Sequence, residues 1–200
     1  MARELPTADA VQAPFRNLDF NRVHTRQVAR LAVSLFDQTR RLHGMDDSER
    51  LILWHAGLLH DVGQGVDYAA HHKHSMALIL DCQELDLDPA TQRMVACVAR
   101  YHRRARPKKR HEVYGDLSEQ QREAVKDLAA LLRIADGLDR GQVGRVEEIR
   151  VARLSADDML LRVYSPQPPN VEIAAGRKKS SLFERVFGLS VLIEYGGKAL

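Results

Sequence analysis

The sequence predicts a mainly α-helical protein, a helical bundle over residues 19–142 with a small α+β appendage of ββαβ order at 146–200. Three observations predict it. Up to Asp139 the apolar residues recur three and four apart, the spacing that lines one face of a helix. Beyond Asp139 the pattern turns to short β-prone runs at 146–154 and 159–164. With 44% hydrophobic and 28% charged residues in 200, the chain can bury a core, and wholesale disorder is excluded.

Each element follows from its own residues. Residues 1–18 are polar, hold Pro6 and Pro14, and read as a flexible lead-in. Val23, Val28, Leu31, Ala32, Leu35 and Phe36 predict a helix over 21–43 that Gly44 stops. Asp47 or Ser48 caps a second helix, which runs through Trp54 and His55 to Gly63. Gly63 and Gly65 mark a loop. A third helix is expected over 71–82 and a fourth over 89–101, with Pro89 in its first turn. Ser118 opens a long helix over 119–138 with a buried-looking stretch at 128–135. Residues 155–158 read as a turn that makes a hairpin of the two strands. Residues 172–187 read as one helix and 189–195 as a third strand.

Several classes are excluded. No apolar run follows the charges of residues 1–9, so a secretory signal is not expected. No stretch approaches ~18 apolar residues, so neither a membrane span nor a membrane partner is expected. Cys82 and Cys97 are too few for a disulfide scaffold and have no metal spacing. They read as small buried hydrophobes in a cytoplasmic protein. A net charge of +3 does not demand a nucleic-acid partner, and no recognition-helix motif is present.

The histidines, nine in all, carry the chemistry. His24 shares the core-facing side of its helix with Val28, Leu31 and Leu35; taken alone it reads as a core histidine. His60 and Asp61 close an apolar helix just before Gly63, where the partial negative charge of a helix C-terminus favours a cation. Imidazole with carboxylate suits a divalent first-row metal. Asp136 follows an apolar run, and a buried anion is costly unless paired or metal-bound. The plainer reading pairs it with Arg133 or Arg140, and Asp139 reads as the surface member of the two acids.

Together His24, the His60-Asp61 doublet and Asp136 resemble the HD superfamily of metal-dependent phosphohydrolases. Members with two metals place two further histidines between the doublet and the last Asp, and His74 and His102 match them in order. The resemblance therefore implies an HD-type bundle with His24, His60, Asp61, His74, His102 and Asp136 as metal ligands. The segments around His60-Asp61, His71 to Ser75, Arg100 to Arg103 and Leu131 to Arg140 are also similar, in that order, to the C-terminal half of the exopolyphosphatase/guanosine pentaphosphate phosphohydrolase (Ppx/GppA) family. That likeness spans roughly 20–195. In that family the phosphatase site is credited to N-terminal actin-like domains with glycine-rich phosphate loops, which this sequence does not show. The resemblance therefore implies the fold, the ligand pattern and an affinity for phosphate-rich ligands, but not exopolyphosphatase activity.

The leading expectation is a phosphohydrolase acting on a phosphoester or phosphoanhydride, with nucleotides among the candidates. His60 and Asp61 would be its catalytic residues, and one or two divalent ions (Mn, Fe, Co, Ni, Zn or Mg) its cofactor. Gln64 stands where many superfamily members have a lysine that reaches phosphate. Lys73, Arg103, Arg104, Arg133 and Arg140 are the candidates for that role. A second expectation is a non-catalytic phosphate- or polyphosphate-binding module. It would work with a separate actin-like phosphatase or another partner, or as a homodimer. The basic run from Arg100 to His111, with seven Lys or Arg and no acid, would then guide a polyanion. His71 and His72 read as residues beside the ligands or on the surface. His55 reads as filler, and His43 and His111 as surface residues.

Overall fold

The computed structural model describes residues 4–199. The expected flexible lead-in is folded where it is described. Thr7 caps α1 (Ala8–Gln12), a 3-10 turn follows at Ala13–Phe15, and Val11 and Phe15 are buried. The Gln12 amide donates to Thr25 Oγ1 at 2.9 Å and to the Leu58 carbonyl at 3.0 Å. Two apolar anchors and one satisfied polar anchor offset the entropy of ordering the segment. Its polar composition concealed them. Residues 1–3 of that lead-in lie outside the described residues.

Helices begin where caps and apolar spacing coincide. The Asn21 side chain caps α2 (Arg22–Gln38). Thr39 breaks the expected longer helix by bonding back to the Leu35 carbonyl at 2.7 Å, and α3 (Arg40–His43) ends at Gly44, which has φ 66°. Asp46, one residue before the expected caps, forms a capping box with Glu49 at the start of α4 (Asp47–Leu59). Next come α5 (His71–Asp81), α6 (Pro89–Arg100) capped by Asp88, and a short α7 (Glu112–Gly115). Ser118 and Gln121 form a second capping box on α8 (Glu119–Gly137). α2 packs on α4 and α8, α4 on α6, and α5 on α6.

The tail is a three-stranded sheet in the order β1 (Glu148–Leu154), β2 (Asp158–Tyr164), β3 (Ser190–Gly197). β1 and β2 form the expected antiparallel hairpin, and β3 runs parallel to β2. The helical crossover between β2 and β3 is broken at Ser180 into α9 (Asn170–Lys179) and α10 (Ser181–Phe187). The Gln38 side chain closes the free edge of β1 with bonds of 2.7 Å to the Val151 N–H and 3.0 Å to the Ile149 carbonyl. One hydrophobic core runs from Leu31 and Leu132 of the bundle to Leu161, Phe183 and Ile193 of the tail. Among the described residues, no helix is long and apolar enough to cross a membrane.

Two glycine contacts decide where side chains meet. A Cβ on Gly63 would lie 2.5 Å from both the His71 carbonyl and the Ser75 N–H, so the turn after α4 rests directly on the first turn of α5. A Cβ on Gly137 would lie 2.8 Å from Gly176 Cα, so α8 and α9 cross with their backbones in contact. Any larger residue at either crossing forces the elements apart.

Candidate metal centre

Six buried side chains from five parts of the chain converge in the bundle. α2 supplies His24, the turn after α4 supplies His60 and Asp61, and α8 supplies Asp136 from its last turn. α5 supplies His71 as its first residue, and His102 follows α6. They form two triads, His24–His60–Asp136 and Asp61–His71–His102, each with three donor atoms within 4.8 Å of one another. All six are buried.

Asp61 stands between the triads. Its Oδ2 lies 3.6 Å from His60 Nε2 and 3.8 Å from His24 Nε2, while its Oδ1 lies 3.1 Å from His71 Nε2 and 3.7 Å from His102 Nε2. The remaining carboxylate, on Asp136, places Oδ1 3.5 Å from His24 Nε2.

The imidazoles are oriented alike. Nδ1 of His60 meets the Gly57 carbonyl at 2.7 Å, that of His71 the Tyr68 carbonyl at 2.8 Å, and that of His102 the Ala99 carbonyl at 2.6 Å. Nδ1 of His24 meets Asp139 Oδ2 at 2.9 Å. An oxygen can only accept there, so each Nδ1 carries the proton and, in the neutral ring, each Nε2 presents a lone pair to the centre. His71 and His102 then hold two such lone pairs 3.3 Å apart, and His60 Nε2 and Asp61 Oδ1 have no hydrogen-bond partner. Buried lone pairs facing one another and two carboxylates repel unless a cation lies among them. The donor set therefore fits divalent cations that accept imidazole and carboxylate.

The electrostatics separate His24 from the other rings. Burial opposes charge on His24, but its bonds to Asp136 and Asp139 outweigh that and raise its pKa to about 9. Burial pushes His60 and His102 down, His102 well below the ordinary histidine range. Burial works against the Asp61 carboxylate, yet the neighbouring His60 holds it below its usual range. Burial likewise opposes Asp136, which Lys179 and His24 hold well below the usual carboxylate range.

The centre opens into a pocket of about 480 Å³ whose walls carry Arg103, Arg104, Arg133, Arg140, Lys178 and Lys179. Tyr68, Gln64 and Gln142 complete its mouth. The two non-glycine residues with positive φ among those described, Arg104 at 55° and Gln142 at 58°, both line it. Strained backbone of that kind tends to persist where surrounding structure holds a site in shape.

Several expectations need correction. His71 occupies the place expected for His74. The Gly63 turn rests on the start of α5, so the first residue of that helix reaches Asp61. His74 instead sets its Cβ 2.7 Å from the position of a Gly63 Cβ and joins neither triad. His72 is buried beside His71, one of the two places expected for it, and burial, followed by Arg100 and Arg103, lowers its pKa to about 4. Asp139 is fully buried, because the loop at 140–144 folds back and the Gly144 N–H donates to its Oδ1 at 2.8 Å. Asp136 pairs with Lys179, not with Arg133 or Arg140.

Among the expected phosphate-binding residues, Lys73 is exposed and lies outside the pocket wall. Arg133 lines the pocket, but it donates to the carbonyls of Tyr101 at 2.7 Å and Ala105 at 2.8 Å, bracing the loop after α6. Arg103, Arg104 and Arg140 do line the pocket, while Arg106 faces a different groove. His43 and His111 are only half-exposed, His43 bonding the Phe36 carbonyl and His111 the Tyr101 hydroxyl. Cys82 and Cys97 are buried and unpaired, as expected.

Sequence reasoning missed Gln64 as a partner of Asp61, and it missed Lys178, Lys179 and Asp139. Only Asp139 carried a local signal, a carboxylate one helical turn from a candidate ligand.

Comparison with known proteins agrees with the resemblance to the Ppx/GppA family. The family model described as Ppx/GppA phosphatase, domain III matches residues 8–170. No curated protein matches the chain. The matched span covers α1 through the sheet hairpin and includes every residue of both triads, so the chain belongs to the Ppx/GppA phosphatase domain III family.

Proposed function

We propose that the chain is an HD-type, metal-dependent phosphohydrolase acting on a phosphoester or phosphoanhydride. The observation that carries this reading is the common orientation of four buried imidazoles, each with Nδ1 on an oxygen and Nε2 turned toward Asp61, that of His24 toward Asp136 as well. His24, His60 and Asp136 would hold one divalent ion, and His71 and His102 a second, with Asp61 shared between them. Such ions supply Lewis-acid activation of water and neutralise charge on phosphoryl oxygens.

The chain's own residues do the rest. Asp139 fixes the His24 ring, and the carbonyls of Gly57, Tyr68 and Ala99 fix the other three. Supporting bonds of this kind are worth ~10–100-fold in metal affinity. Gln64 donates to Asp61 and orients its carboxylate. Arg103, Arg104 and Arg140 stand on the wall of a pocket wide enough for a phosphorylated small molecule and would bind its phosphate oxygens.

Metal analysis of protein purified without chelators or a histidine tag tests the first half of this reading. Release of inorganic phosphate from pyrophosphate and simple phosphate esters by the loaded protein tests the second. Two ions per chain with phosphate release is the expected result. No ion after reloading would overturn it.

A second reading is favoured by the number of cations on the pocket wall. It is a non-catalytic phosphate- or polyphosphate-binding module that acts beside a separate phosphatase. Metal uptake and tight polyphosphate binding with no phosphate release would select it.

A further inference from the structure

Lys179 is the unexplained charge in the site. It lies 43 residues beyond Asp136 in sequence and belongs to the crossover of the tail, yet its ammonium group bonds Asp136 Oδ2. Two glycines bring it there. Gly137, next to Asp136, and Gly176, one turn before Lys179, let α8 and α9 touch at the backbone. The contact is tight on both sides of α9, since a Cβ on Gly176 would also lie 3.0 Å from Leu138 Cδ2 and from Ile193 Cδ1.

An ammonium group has three N–H donors. Asp136 takes one, and among the described residues no other hydrogen bond to this nitrogen is formed. The side chain is 27% exposed and lines the same pocket as the two triads, with Lys178 and Ser181 beside it. The ammonium is therefore tethered to a candidate metal ligand on one side and has donors left for the pocket on the other. Arg133, the sequence's candidate nearest Asp136, commits Nε and Nη2 to the carbonyls of Tyr101 and Ala105, and Gln64 carries no charge.

We propose that Lys179 is the lysine that binds the phosphate nearest the metal centre, so that the tail is a working wall of the site rather than an accessory to the bundle. This deepens the phosphohydrolase reading and rests on it for the identity of the ligand class. The donor arrangement calls for a phosphoryl group with a free oxygen at the Lys179 ammonium, with a second phosphate or other anionic group reaching Lys178 or Arg140. That pattern describes a phosphoanhydride better than a diester.

The probe is methylenediphosphonate, a pyrophosphate analogue that cannot be hydrolysed. Its binding is measured by calorimetry on wild type, Lys179→Met and Lys179→Arg, each with and without manganese, after metal content and melting temperature have been determined. Losing one charge-assisted hydrogen bond weakens binding by about tenfold or more. The expected result is that Lys179→Met keeps the wild-type metal content and binds the analogue about tenfold more weakly, while Lys179→Arg retains most of the affinity. Equal affinity of Lys179→Met and wild type, with metal content intact, overturns the lysine assignment and leaves the metal reading standing. If wild type takes up no manganese but Lys179→Met still binds the analogue more weakly, the metal reading fails and the lysine assignment holds. Wild type that binds no analogue in either state overturns the assignment.

Discussion

The two triads are built from the same residue types on different supports. His24 and Asp136 lie on the long helices α2 and α8, and His60 follows the end of α4, so the first triad is held where three extended elements meet. Asp61, His71 and His102 lie in a turn, on the first residue of α5 and just past α6. The first triad also has a resident counter-charge, Lys179 on Asp136. In the second, two imidazole nitrogens face each other 3.3 Å apart beside Asp61, with Arg103 against His71. Rigid helices can hold donors close without an ion. Helix ends in repulsion gain more when an ion arrives, so the second triad should be the one whose order depends on metal.

Loading is the largest expected effect. Metal at about a thousand times its dissociation constant should stabilise the fold by about 4 kcal/mol per site. A chelator should reverse this, read as a fall in melting temperature, and hydrogen exchange should loosen first around α5 and residues 101–105. A melting temperature indifferent to both treatments would remove the basis for treating the triads as metal sites.

Single ligands come next. Asp136→Asn should weaken the first site, and His71→Ala the second, each by about 100-fold or more, the upper end of what even supporting partners contribute. Each variant should retain one ion per chain by elemental analysis. His74→Ala should retain two. Loss of an ion in His74→Ala would reverse the assignment of the second triad.

That contrast also explains what was legible in the sequence. The structure brings together His24, His60, Asp61, His102 and Asp136, because helix phase and the Gly63 stop place them without knowledge of tertiary contacts. The His71–His74 choice was not legible. α5 has no side-chain cap, so nothing local says which residue of His71 to His74 meets the preceding turn. That meeting is set by Gly63 lying on the backbone of α5. Lys179 was invisible for a related reason: its place depends on two glycines 39 positions apart. The bundle, hairpin and third strand were readable from periodicity. The folded lead-in and the break at Ser180 depend on Gln12, Val11 and a single serine bond.

Gly176→Ala separates the bundle ligands from the tail's lysine. A methyl group at that crossing meets Leu138 and Ile193 at 3.0 Å and should destabilise the fold by about 2 kcal/mol, within the usual range for overpacking. No residue of either triad lies on α9, so if the triads take up two ions the variant should still take up two while the denaturation midpoint falls. Loss of an ion would mean that the tail holds the first triad in place, and the distinction between ligand support and lysine delivery would collapse.

The smallest effect concerns a carboxylate on the same helix as Asp136 but outside both triads. Asp127 is half-buried in α8, and burial, with help from Glu123, raises its pKa to about 6. Among the described residues no hydrogen bond or ion pair reaches its carboxylate. Asp136 is more deeply buried yet shifted in the opposite direction, because Lys179 and His24 answer its charge. The sign follows from linkage: an acid whose folded pKa exceeds its unfolded value favours folding when protonated. That contribution is complete below about pH 4 and is lost as pH rises through 6. Asp127→Asn should therefore leave stability near pH 4 unchanged. At pH 7–8 it should raise stability by about 1 kcal/mol, a figure reduced for the water that still reaches the group. Urea midpoints at the two pH values measure it. An equal gain at both would mean that the substitution acts through packing, and burial without a partner would no longer account for the difference between these two acids on one helix.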